Sequence, residues 1–142
     1  MYNNEEDILM KKKGLAAIIG SFIVIGIVVF VFSGQKPYKD LETSDIVSAT
    51  VHLTPPDKTI QITETHELVS YLNEVVIYKK DNSYTEYAGQ AVIFTLTMTD
   101  GSQEEIIAYN PFVVVNGTGY KTKYEPCEKL NNYANKLLNN AE

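Results

Sequence analysis

QAVIFTLTMTDGSQEEIIAY, residues 90–109, reads as a complete antiparallel hairpin. Val92, Phe94, Leu96 and Met98 recur at every second position of Gln90–Thr99, which puts them on one face of an extended chain while Thr95 and Thr97 occupy the other. Asp100-Gly101 is a strong turn signal, because a tight hairpin loop needs positive φ and glycine takes it without steric cost. Gln103–Tyr109 then returns as the partner strand. An antiparallel sheet with one buried face follows, and the flanking sequence has to supply its other strands and its cover.

Upstream, Val47, Ala49, Val51 and Leu53 alternate with Ser48, Thr50 and His52, predicting a half-buried strand from about Asp45. Thr54-Pro55-Pro56-Asp57-Lys58 is a turn, and Thr59–Thr63 folds back to close a hairpin. Glu64–Tyr78 carries Leu68, Val69, Leu72, Val75 and Val76 at helical spacing, with Thr63 or Thr65 as cap and Glu64 and Glu67 in the first turn, where the helix dipole favours anions. Downstream of the central hairpin, Phe112–Val115 is a buried strand, Asn116-Gly117 a tight turn, and Gly119–Thr122 a short strand. Pro126 suits the first position of a last helix, whose stripe is Cys127, Leu130, Tyr133, Ala134, Leu137, Leu138 and Ala141. The expected class is α+β, in the order β-β-α-β-β-β-β-α, with both helices on one face of a small antiparallel sheet over residues 45–142.

A transmembrane helix is expected ahead of this domain. Residues 14–33, GLAAIIGSFIVIGIVVFVFS, are twenty uncharged residues, thirteen of them Leu, Ile, Val or Phe. At about 1.5 Å per residue they match a hydrocarbon core of roughly 30 Å. Lys11, Lys12 and Lys13 precede the run, whereas Lys36 and Lys39 on its far side stand beside Asp40 and Glu42. Cationic flanks stay inside, so residues 1–13 read as a cytoplasmic tail and 34–44, broken by Pro37, as a spacer leading to an extracytoplasmic domain. A signal peptide cleaved at Gly34, after Val31 and Ser33, is the alternative, but the apolar run exceeds an ordinary signal core and the leading segment is acidic. A lipoprotein signal needs a Cys just after the apolar run, and the only Cys is Cys127.

Beyond residue 33 the chain holds nine Lys and fifteen Asp plus Glu, a balance of −6 that excludes nucleic acid and anionic headgroups as partners. Arg is absent, so no bidentate fork exists for phosphate or carboxylate recognition. A single cysteine leaves the exported domain to rest on its core alone.

No catalytic, cofactor-binding or metal-binding residue is assigned, no cofactor is expected, and the protein reads as a non-enzyme. His52 and His66 lack metal-ligand spacing, and a zinc site built from them with Glu64 or Glu67 has no third credible ligand. Cys127 paired with either histidine would make a thiol dyad, but it lies on an apolar stripe where a small hydrophobe belongs. Glu104-Glu105 reads as a solvated pair, and Gly117-Thr118-Gly119 is too short for a phosphate loop. The one enrichment with functional content is Tyr78, Tyr84 and Tyr87 in the polar connector Tyr78–Gly89, the candidate partner-binding residues, since loop tyrosines supply rigid contact area. Folding of these rings onto the sheet is the competing reading.

With the TDGS turn, the NGTGYKT element and the closing helix, residues 45–140 resemble the small membrane-anchored extracytoplasmic domains of uncharacterised proteins in Gram-positive bacteria, which often place a Gly-x-x-Tyr element, here Gly117–Tyr120, before a C-terminal helix. The resemblance implies localisation at the cell membrane and brings no activity. Lys12-Lys13-Gly14-Leu15 is similar to a type IV pilin leader, but Ile19 stands where pilins carry glutamate. The leading expectation is a single-pass binding module for a protein or envelope partner, held in the lipid bilayer by residues 14–33. A small cell-surface hydrolase and a pilin-like assembly subunit are the rivals.

Overall fold

The computed structural model describes residues 4–141, the side chains of residues 4 and 29–32 excepted. It divides into two units, residues 1–33 and 34–142, each taken separately below.

The first unit is one helix, α1 (Asn4–Phe32), of 29 residues. Its apolar side chains are exposed around the whole circumference, from Leu15, Ile18 and Ile19 to Phe22, which is 71% exposed. Ser21 donates its hydroxyl to the carbonyl of Ala17, so the polar atom in the middle of the run is satisfied within the helix. Among the described residues no helix is long and apolar enough to cross a membrane. The expected span reaches Ser33, and its stretch 29–32 has side chains outside the described residues.

The second unit is α+β. Its strands are β1 (Ile46–Thr54), β2 (Lys58–Ile62), β3 (Ile77–Lys80), β4 (Ala91–Met98), β5 (Gln103–Tyr109), β6 (Phe112–Val115) and β7 (Thr118–Thr122), and its helices are α2 (His66–Glu74) and α3 (Tyr124–Asn140). The strands form one antiparallel sheet in the order β2-β1-β4-β5-β6-β7-β3. Gly101 at φ 87° turns the central hairpin, while Asn116 and Gly117 at φ 48° and 77° turn β6 into β7, the paired positive φ values of a two-residue loop.

One face of the sheet is covered by the two helices. Val51, Leu53, Val92, Phe94, Leu96 and Ile106 pack there with Leu68 and Leu72 of α2 and with Leu130 and Ala134 of α3. Tyr133 stacks on Phe94 with ring centroids 6.4 Å apart and meets Tyr71 edge-on at 5.7 Å. Ion pairs Lys129–Glu74 at 2.6 Å and Lys136–Glu67 at 3.2 Å close the seam between the helices. Lys136 and Tyr71 hold the Glu67 carboxyl below its ordinary pKa.

Four expectations need correction. The sheet has seven strands, not six, because the predicted helix over 64–78 ends at Glu74 and Ile77–Lys80 pairs with β7 as an edge strand. Val75-Val76-Ile77 is a β-branched run in which Val75 and Ile77 are both buried, a period of two that overrides the helical reading. Val47 does not face the core: the register between β1 and β4 shifts between Ile46 and Ser48, and the extra residue leaves Val47 67% exposed. The last helix starts at Tyr124, so Pro126 is its third residue, where a missing N–H still costs no intrahelical bond. Finally, residues 34–44 are no free spacer: Gln35 exchanges two backbone hydrogen bonds with Ile77 at 2.7 and 2.8 Å, and Tyr38 is buried in the core.

Candidate partner-binding face

The alternating pattern of β5 and β6 puts Phe112 and Val114 on the sheet face opposite the helices, yet both are fully buried. What covers them is the connector. Leaving β3, the chain crosses β7 and β6 through a short 3₁₀ turn, Ser83–Glu86, and runs on to β4. The Tyr87 ring meets Phe112 edge-on with centroids 5.3 Å apart, and Tyr84 meets it tilted at 6.4 Å. Lys121 sits over the same Phe112 ring, its Nζ 3.9 Å from the centroid, and lies 3.8 Å from Asp81 Oδ2.

Hydrogen bonds fasten this strap at both ends. Asp81 N–H donates to the carbonyl of Gly119, and Gly119 N–H donates to Asn82 Oδ1, each at 2.8 Å. Asp81 Oδ1 accepts the Ser83 N–H, and bonding from Ser83 holds this carboxyl below its usual range. At the far end Tyr109 donates its hydroxyl to the carbonyl of Tyr87 at 2.7 Å. Gln90 donates to the carbonyl of Pro55 at 2.9 Å and pairs with Asn135. Gly119 is required by space alone: a Cβ there would collide with the carbonyl oxygen of Asp81 and stand 2.6 Å from the Tyr84 ring.

The three tyrosines singled out by sequence therefore part company. Tyr84 is half-buried as cover for Phe112, Tyr87 is 53% exposed with one edge packed, and Tyr78 lies on β3 beside Gly34, at the edge of the sheet. Tyr87 alone borders a cavity, of about 260 Å³, shared with Gln90, Ala108, Tyr109, Asn110 and Asn131.

The residues considered for chemistry are scattered. His52 is tied into the β1–β2 turn, Nδ1 with Thr59 Oγ1 at 2.9 Å and Nε2 with Thr54 Oγ1 at 2.9 Å and Asp57 Oδ1 at 3.2 Å. His66 is exposed at the start of α2. Among the described residues no three His, Cys, Asp or Glu side chains are grouped to hold a metal ion. Burial pushes the Cys127 thiol up to about 12, and its Sγ donates to the carbonyl of Phe112. Glu104, read from sequence as solvated, is half-buried, takes a hydrogen bond from Asn116 at 3.0 Å and lines a second cavity of about 370 Å³ with Tyr38, Leu41, Asp45, Leu96 and Asp100. Tyr38, which no periodic pattern marks, contributes a buried hydroxyl there, and its pKa is raised by burial and by the nearby Glu104.

Comparison with known protein families, with curated proteins and with solved structures returns no match.

Proposed function

We propose that the protein is a single-pass, membrane-anchored binding module of the bacterial cell surface, with a cytoplasmic N-terminus and an extracytoplasmic sheet domain that presents the connector face around Tyr87 to a partner. The observation that carries this reading is α1: apolar side chains are exposed on every side of it, and an all-round apolar helix needs an apolar surrounding. The uninterrupted run 14–33 behind three lysines supplies length and orientation. On the domain, Tyr87 combines exposure with a ring held by Phe112, the pre-organised aromatic contact that interfaces favour. Cys127 offers no nucleophile to the rival hydrolase reading, because burial disfavours its thiolate.

An engineered cysteine at Gln35 should react with a membrane-impermeant thiol reagent on intact cells, while one at Asn4 should be spared. Buried Cys127 needs no removal. Labelling at Asn4 alone, or release of a mature protein beginning near Gly34, would overturn the anchor.

A further inference from the structure

The cavity beside Tyr87 narrows the class of ligand, on the premise that the domain is a binding module. Its named walls are Tyr87, Gln90, Ala108, Tyr109, Asn110 and Asn131, and none of them carries a charge. In a domain this acidic, an uncharged cavity lined by three carboxamides does not select an ion. The groups it offers are acceptors. Asn131 spends an N–H on the carbonyl of Cys127 at 3.1 Å, which leaves its oxygen open. Tyr109 spends its hydroxyl proton on the Tyr87 carbonyl and keeps its lone pairs. The Asn110 carboxamide oxygen is closed off from the cavity space and offers it no contact. Gln90 is held by Pro55 and Asn135 and forms a fixed wall.

A ligand complementary to these walls brings several uncharged donors within one compact body. It also brings a flat C–H surface for the Tyr87 ring at the rim. We propose that this cavity binds one ring of a neutral sugar, its uncharged donors facing Asn131 and Tyr109, and the pyranose face against Tyr87. An extended peptide suits the cavity less well, because it presents its donors in a line and relies on a free strand edge or a row of side-chain pockets.

The test uses the full-length chain in lipid nanodiscs, free of sugar-based detergent, titrated calorimetrically with N-acetylglucosamine, its β-1,4-linked tetramer and a neutral tetrapeptide. The saccharides should bind. Asn131→Ala should weaken that binding roughly fivefold to tenfold, the scale of one hydrogen bond between uncharged groups, and Tyr87→Phe should retain it while Tyr87→Ala loses it. Thr95→Ala, elsewhere on the sheet, should leave it unchanged, and the melting temperature of each variant separates lost binding from lost fold. Saccharide binding indifferent to both Asn131→Ala and Tyr87→Ala would overturn the site. Tetrapeptide binding that depends on those residues, without saccharide binding at millimolar concentration, would overturn the sugar and leave the binding module standing. If no probe binds and Tyr87→Ala retains envelope components as well as the wild type does, both readings fall.

Discussion

On one face of the sheet, α2 and α3 bury Phe94, Leu96 and Leu53 with stripes of Leu, Val and Ala. On the other, a strap of about ten residues buries Phe112 and Val114 with two tyrosines and leaves Thr50, Thr95 and Thr97 partly open. The helical cover is apolar, periodic and continuous. The strap is polar in sequence, and it covers its face through an aromatic cluster, a cation over a ring and a few hydrogen bonds. Tyrosine permits this because its ring packs while its hydroxyl or an edge stays wet. A polar connector can therefore be a structural layer, and the same strap that completes the fold sets Tyr87 at the rim of a cavity.

If the two faces are equivalent in burial, they should respond alike to truncation. Phe112→Ala is expected to cost roughly 3 to 5 kcal/mol and Leu72→Ala roughly 2 to 5, read from urea unfolding with unchanged slope. A Phe112→Ala cost under about 1 kcal/mol, the range of ordinary surface changes, would show that the strap lies loosely on the sheet. Gly119→Ala comes next. In a strand this exchange ordinarily stabilises by about 0.5 to 1 kcal/mol, but the crowding by Asp81 and Tyr84 should reverse its sign, with a loss of about 1 to 3 kcal/mol. The smallest effects separate the tyrosines: Tyr84→Ala should lower stability by about 1 to 2 kcal/mol, and the more exposed Tyr87→Ala by about 1 or less. Equal losses would mean that Tyr87 is as much a packing group as Tyr84.

How far the sequence could be read follows the same division. Residues 90–109 disclose the central hairpin because alternation and the Asp-Gly turn agree, and Phe112–Val115 and the last helix stripe are legible for similar reasons. The end of α2 is not, since Val75 and Val76 fit a helical stripe as well as a strand, and what decides between them is pairing of Ile77 with Thr122 far along the chain. Tyr38 and Gln35 join the domain through contacts that leave no local period. In the candidate site, the tyrosines of the connector are conspicuous, but Asn110 and Asn131, more than forty residues from Tyr84 in the latter case, come to it only through the fold. One clue was available: Gly119 inside a short strand signals close approach by another segment.

The claim that the connector is a folded layer is tested most directly by amide hydrogen exchange at Asp81 and Gly119, whose N–H groups point across to the Gly119 carbonyl and to Asn82. Both amides should be protected on the scale of the β6–β7 ladder and open only with it. Exchange at the rate of a free loop, with the ladder amides still protected, would contradict the account and return the connector to solvent.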